Sequence, residues 1–573
     1  MGVDKATFQS GGQISQHSLP GAYSRLDFIK GTGGLVSSSN VVIFGDCRGG
    51  EPGKILWFTG PTEAEEVLRS GPLLDAVKHA FSPGGGLVPQ YIGAWRVNPG
   101  TRASSQFTAS SNPMITAYAW DWGLHTNQLK RKLEAGTSSG KKLTLKFQNN
   151  DEYVVDNIEK ESFEIQYTGA GTAAIMTITK TALSTTVTGG PGGEDLSMTF
   201  ATFPTIEDIV NYINDQSGYT CTVVTGTPTD SSSELDSVAS QDIKTSTYTA
   251  NSDLQAIIDV LNNSPWINSA EYYIAAADRS IPDNDTDWIY FTGAVDGSYT
   301  SIEWGLALTA ALQEDIQFVG SSSEDASVHA LIKTHCETAC SVTGKSERQA
   351  ILGGAAGETV AQALTRALNL ASDKTMLAFP GFTHYDFTKT DNSTKTWSPA
   401  YYAAKLLGAQ ASLAINEPAT NKQVNVLEWE DNLTRAEAEQ LIEGGVCCGI
   451  KNRAGRLVNA RTVTTYQGSE LQRCEFSMMR EALYVSRDLR TELEESFVGK
   501  ALTNVQLGKI DAIVIGKLSQ YRDLKLFNGS PPYWGYKKTI LGDQVKIEYD
   551  CNLTPPTNFL FITSHMHVYA SVA

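Results

Sequence analysis

Between residues 251 and 425, short apolar runs rich in β-branched residues alternate with helical stretches, and that alternation leaves few ways to fold. The spacing predicts helices over 254–261, 326–340, 360–371 and 400–413, with strands at 316–319, 350–352 and 375–379. Strands covered on both faces read as continuous apolar runs, and helical crossovers set neighbouring strands parallel. A largely parallel sheet clad in helices is therefore expected here. The start of the chain has the same character. Val41–Phe44, Ile55–Phe58 and Tyr91–Val97 read as strands around a helical segment. Thr62 reads as its N-cap, with Glu63, Glu65 and Glu66 in the first turn, and Gly71-Pro72 should split it in two.

From 101 to 250 the pattern changes. Thr, Ser and Gly become dense, and Leu143–Phe147, Phe163–Tyr167 and Ala174–Ile178 alternate with period two. Half-buried strands carry that pattern, and Gly189–Gly193 offers a turn. The segment reads as a β-rich insert with one helix over 206–216. Beyond 426, Thr434 and Glu437 form a capping box, and a helix is predicted over 477–497 with Met478, Ala482, Val485, Leu489, Leu493 and Phe497 on one face. A second helix is expected over 504–520, then strands at 545–549 and 559–562 and a strand-like tail to Ala573. Residues 1–25 are polar and broken by Gly and Pro, too poor in apolar positions to pack alone. The expected class is a multidomain α/β (α+β) chain. Its divisions are an arm at 1–25, a first domain part at 26–100, a β-rich insert at 101–250, an α/β middle at 251–425 and a C-terminal part at 426–573.

Charge narrows the partners. The 63 acidic residues outweigh 45 basic ones, leaving a net charge of −18. Such a surface repels a phosphate backbone, so the chain is a poor general nucleic-acid binder, with local basic patches left open. No apolar run approaches the roughly 18–20 residues of a membrane span, and the N-terminus lacks the basic and apolar regions of a secretory signal. The eight cysteines are scattered, which reads as reduced thiols. Against the acidic background, the basic turn at Lys451, Arg453, Arg456 and Arg461 is either a solvated loop or a docking surface for an acidic partner.

Three motifs imitate chemistry. Ala339-x4-Gly344-Lys345-Ser346 fits a loose phosphate loop, but a helix precedes it and a strand follows, the reverse of the order that aims loop amides at a phosphate. Gly136-Thr-Ser138-Ser-Gly140 matches a nucleophile-elbow string, yet 129–134 reads as helix and 143–147 as strand, again the wrong order. His335, Cys336 and Cys340, or His565 with His567, lack the further ligands a zinc site needs. No catalytic, cofactor or metal residue is assigned. An α/β enzyme with an unrecognised site is the alternative class.

The order of several strings resembles the tail sheath proteins of contractile-tailed bacteriophages. They are Pro20–Tyr23, Val41–Gly45 running into Gly49–Gly53, and Ala64–Ala76, followed late in the chain by Gly444–Ile450, Gly455–Val458 and Val463–Thr465. Arg487–Arg490 in the long helix, Phe497–Lys500 and Asn558–Ile562 complete them. The resemblance covers 20–100 and 426–573 well, 251–425 loosely and 101–250 hardly at all. It implies a structural subunit of hexameric rings, stacked helically around a tail tube and held extended and metastable until contraction drives the tube through the host envelope. Both chain ends would build an inner domain facing the tube, with the insert outside. Leu19, Pro20, Gly21 and Tyr23 at one end, and His567, Val568 and Tyr569 at the other, are the expected inter-subunit arms. Lys451, Arg453, Arg456, Arg480, Arg487 and Arg490 are the expected tube-facing cations. The implied partners are further copies, the tube protein, and baseplate and tail terminator proteins, with no cofactor, nucleic acid or membrane. The implied location is the virion tail, after assembly in the host cytoplasm. The sheath of a phage-tail-like bacteriocin or contractile injection system is the neighbouring alternative.

Overall fold

The computed structural model describes residues 6–10, 13–17, 39–224, 228–276 and 278–566. Its centre is an eight-stranded sheet in the order Leu457–Asn459, Val446–Lys451, Thr375–Phe379, Gln349–Gly353, Phe318–Ser321, Val41–Gly45, Ile92–Arg96, Ile55–Phe58. The six inner strands run parallel, and the two edge strands run antiparallel. One sheet thus unites strands from 41–96, 318–379 and 446–459.

Helices cover both faces, which is why the inner strands are apolar at most positions. Val41 and Ile43 pack on one side with Leu73, Leu74 and Val77 of helix Pro72–Ala80 and Tyr402, Ala403 and Leu406 of helix Pro399–Ser412. Val42 and Phe44 pack on the other with Trp304, Ile332, Ala363 and Leu441, one from each of four helices. The same alternation sends Cys447 to the first core and Cys448 to the second. Their adjacency is a consequence of strand geometry. The two helices of the first face approach so closely at Gly408 that a β-carbon there would collide with the Ala80 carbonyl.

The region after 101 forms two β bodies with separate cores. In the first, Tyr153–Ile158, Lys141–Phe147, Leu129–Ala135 and Ile289–Tyr290 form one sheet. Ile267–Tyr272, Asn112–Ala119 and Ser104–Ala109 form another, and helix Asp253–Asn262 packs between their apolar faces. The second body pairs a three-stranded and a four-stranded sheet around helix Ile206–Asn214. Phe163, Ile165 and Tyr167 point into its core, as period two predicts.

Three local expectations need correction. Residues 129–135 are a strand, not a helix, since Leu129, Arg131 and Leu133 alternate inward. The first helix, Pro61–Leu68, starts from Gly60 rather than Thr62, because Pro61 supplies the preset φ of an opening position. Its first turn is closed by Thr59, whose N–H donates to Glu63 Oε2 at 2.8 Å. Phe559–Ile562 forms no strand among the described residues.

The C-terminal body consists of helices Phe476–Phe497 and Asn504–Asp523 and the hairpin Tyr533–Leu541/Gln544–Cys551. Tyr484, Val485, Val514, Leu518 and Tyr521 form its core. Within it Asp488, 1% exposed, receives Lys517 Nζ at 3.1 Å and Tyr521 Oη at 2.6 Å. Removing the carboxylate leaves a buried ammonium with, among the described residues, Glu492 opposite it at 3.5 Å. Asp488→Ala is expected to lower stability by about 3 kcal/mol, and Asp488→Ala with Lys517→Met by less than the single change, as read by denaturant unfolding.

Candidate functional site

The described residues offer no catalytic constellation. Helix Ala326–Ala339, then the 340–348 loop, then strand Gln349–Gly353 is the order expected, and Lys345 is tied to Glu494. The Gly136–Gly140 string is the turn of a hairpin between Leu129–Ala135 and Lys141–Phe147. It therefore lacks the helix that an elbow requires. His335 is held near pKa 3 by burial and by Arg348, against whose Nη1 its Nε2 packs at 3.1 Å. Cys336 is fully buried and its thiol is raised by desolvation. Among the described residues no three His, Cys, Asp or Glu side chains group as metal ligands, and no helix is long and apolar enough to cross a membrane. All eight cysteines are free thiols.

The sequence-predicted cations fall into two sets. Lys451, Arg453 and Arg456 are exposed on the turn joining strands Val446–Lys451 and Leu457–Asn459 at the sheet edge. Asn452 Oδ1 accepts from the Ala454 and Arg456 N–H groups at 3.0 Å each, and Gly455 takes a φ of +79° that closes the turn. None of the three makes an ion pair with another described residue. Arg461, by contrast, binds Glu475 through its Nε at 2.6 Å.

The long-helix arginines lie elsewhere. Arg480 is buried, with Nη1 donating to Gln410 Oε1 at 3.1 Å and Nη2 to the Leu413 carbonyl at 3.3 Å. Burial lowers its pKa to about 10. Arg487 is 7% exposed and reaches Asp315 at 3.3 Å. Arg490 grips Glu347, with Nη2 to Oε2 at 2.7 Å. These three stitch the long helix to its own chain, and the structure does not bring them together with the basic turn.

The arm residues Leu19, Pro20, Gly21 and Tyr23, and His567, Val568 and Tyr569, lie outside the described residues. What leads to the C-terminal arm is described. The Thr554 N–H donates to Glu481 Oε2 at 3.1 Å, and its hydroxyl to the Lys525 carbonyl at 2.7 Å. Asn558 Nδ2 donates to Glu475 Oε1 at 2.8 Å. Two fully buried glutamates, Glu475 at the N-cap of the long helix and Glu481 within it, therefore moor the chain just before Phe559, Leu560, Phe561 and Ile562, which are 69–91% exposed. Toward the other end of the long helix, Leu489, Leu493, Phe497, Ile510, Val545 and Ile547 line a groove of about 610 Å³ between helix and hairpin. The hairpin pairs only with itself, leaving both its edges free among the described residues.

Sequence reasoning missed this mooring. The signal was Glu481, an acid three residues past Met478 on the apolar stripe of the helix. Burial raises Glu481 to about 8 from 4.5, so it is protonated at neutral pH. A carboxyl held above its unfolded value favours the folded state fully below about pH 4.5, and that contribution declines as pH rises toward 8. Glu481→Gln is expected to flatten the fall in stability over that window, measured as the denaturation midpoint against pH.

Comparison with known proteins bears on the whole chain. Residues 297–465 match the family described as phage tail sheath protein central domain. The tail sheath protein of Bacillus phage SP01 is 28% identical over 583 aligned positions, covering 95% of each chain. The putative tail sheath protein of Enterococcus phage phiEF24C is 26% identical, covering 82% of this chain and 83% of its own. The fold is shared with a sheath tail protein of Desulfitobacterium hafniense, at TM-score 0.51 and 13% identity, covering 92% of this chain and 99% of that one. A sheath tail protein of Listeria innocua aligns at TM-score 0.52 and 10% identity, covering 90% and 94%.

Proposed function

We propose that this chain, which belongs to the phage tail sheath family, is the repeating subunit of a contractile sheath that assembles as stacked hexameric rings around a tail tube. The family is structural rather than enzymatic. In this reading the rings are held extended, and their contraction drives the tube through the host envelope.

The observation that carries the proposal is the run Phe559–Ile562. Four consecutive large apolar side chains stand in water, just after a segment moored by Glu475 and Glu481, and the same C-terminal body carries a hairpin whose edges are unpaired among the described residues. Exposed strand edges recruit strands, and main-chain hydrogen bonds make such joints strong with little demand on sequence. Burying four such side chains is worth roughly 6 kcal/mol or more before the cost of ordering. A second copy of the chain supplies both the edge and the cover. Leu19, Pro20, Gly21 and Tyr23 at the other end, with His567, Val568 and Tyr569 continuing this one, belong to the same linking system.

The basic turn is the proposed tube contact. Lys451, Arg453 and Arg456 are uncommitted within the described residues and sit on a rigid sheet edge, where they suit an acidic tube surface. Arg480, Arg487 and Arg490 act behind it by fixing the long helix. Baseplate and terminator proteins would meet the two ends of the assembly, and the assembled protein would be part of the virion tail.

Negative-stain electron microscopy tests the assembly. Full-length protein is expected to form hollow tubes or stacked rings, alone or on added tail tubes. Deleting residues 559–573 is expected to abolish them while leaving the circular dichroism spectrum unchanged; rings from the truncated chain would overturn arm exchange. Reversing charge at Arg453 and Arg456 together is expected to prevent assembly on tubes, counted as sheathed tubes per field.

A further inference from the structure

The junction between the central sheet and the long helix concentrates positive charge, and among the described residues Arg348 and Arg487 are not fully neutralised. Arg480 and Arg487 are seven residues apart, two turns on one face of helix Phe476–Phe497. Opposite them Arg348 enters strand Gln349–Gly353. Arg348, Arg480 and Arg487 together with Tyr484, Glu347 and Gln349 line a cavity of about 20 Å³, room for a single small species.

The partners of these groups leave a specific deficit. Arg348 is 1% exposed, yet its guanidinium donates to neutral acceptors: the Ala311 carbonyl at 2.9 Å, the Glu314 carbonyl at 3.0 Å, the Ser346 carbonyl at 3.1 Å, the Ser346 hydroxyl and neutral His335. Among the described residues no carboxylate forms an ion pair with it. Arg487 shares one nitrogen with Asp315, whose side chain is 63% exposed and screened by water. Its Nη2 is buried without an acceptor, as is the hydroxyl of Tyr484. Glu347, the acid in the lining, is already clamped by Arg490.

We propose that this cavity binds one monatomic anion, chloride in the cell, held by Arg487 Nη2 and Tyr484 Oη in the field of Arg348 and Arg480. A cation is repelled by three guanidinium groups, and phosphate or a carboxylate is too large for the space. Water fits by size, but it neutralises nothing, and a desolvated guanidinium without a counter-charge is costly. A halide accepts from every donor around it. Burial lowers the pKa of both Arg348 and Arg487, and Arg487 lowers that of Arg348 further, the sign of a field that an anion would relieve. The site would lock the long helix, and with it the mooring at Glu475 and Glu481, onto the sheet.

The test compares thermal unfolding of the purified full-length chain in sodium chloride, sodium bromide and sodium gluconate at one pH and ionic strength. The midpoint is expected to rise by roughly 1–3 °C in either halide over gluconate, and to climb with the logarithm of halide concentration. Tyr484→Phe, which removes one oxygen and keeps the ring, is expected to shrink that difference, and Arg487→Met to erase it. A general salt effect would be the same in all three proteins, and that result overturns the proposal. Bromide anomalous scattering from crystals grown in bromide gives the second reading. A peak within hydrogen-bond distance of Arg487 Nη2 and Tyr484 Oη supports the site, whereas a water there with no anomalous signal refutes it.

Discussion

The parallel pairing of Val41–Gly45 with Phe318–Ser321 is the joint on which the rest of the molecule depends. Phe318 faces Val41 across it, 277 positions away in sequence. Everything from 101 to 300 is thereby an excursion from one strand of the sheet back to its neighbour. Such a closure is entropically costly, though the cost grows only slowly with length, and it is offset where the excursion leaves and returns. Arg96, 1% exposed, donates from Nη1 to the carbonyls of Gly50 and Trp122 and from Nη2 to that of Asp296. Asn98 adds bonds to Cys47 and Asp296. One buried guanidinium thus ties the exit and re-entry of the inserted region to the sheet. The insert can then have its own cores and its own surface without disturbing the strands beneath.

The same joint explains why the central strands could be read so easily. A strand covered on both faces has few polar positions to spare, so Val41–Phe44, Ala350–Leu352 and Thr375–Phe379 announced themselves by composition alone. Period two marked the strands of the insert for the same reason in reverse. Reading failed where local pattern and tertiary setting diverge. Leu129–Ala135 alternates well enough as a strand, but Lys130, Lys132 and Glu134 fall at spacings a helix also tolerates. Hairpin partners decide between the two, and a single segment does not display them. The helix Ser301–Ala310 escaped because Ile302 and Leu306 face water and blur its apolar stripe, although Thr300 and Glu303 form a capping box at its start.

The candidate surfaces were legible in part. The basic turn showed in the sequence because four cations cluster against an acidic background. The fate of the long-helix arginines did not, since whether an arginine faces outward or is bound by Gln410, Asp315 or Glu347 depends on residues 70 to 172 positions away. Helical spacing alone placed Arg480 and Arg487 on one face without saying what that face meets. The moorings of the C-terminal segment were hidden for the same reason: Glu475 and Glu481 look like ordinary helix acids until Asn558 and Thr554 arrive on them.

Charge decides how copies of such a chain can hold together. At −18 each, identical subunits repel at long range, and at physiological salt that repulsion fades only beyond about 8 Å. Attraction between copies must therefore act at contact, through apolar burial and backbone pairing, both indifferent to net charge. The described C-terminal segment offers that kind of contact: an apolar run with almost no charge, delivered at a fixed point by two buried acids of the long helix. In the proposed sheath the mooring belongs to the body and the run extends past it, so neighbouring bodies would shift while their joint stays formed. Such a subunit would change its packing without letting go of its neighbours, which is the mechanical demand that the proposed contraction makes.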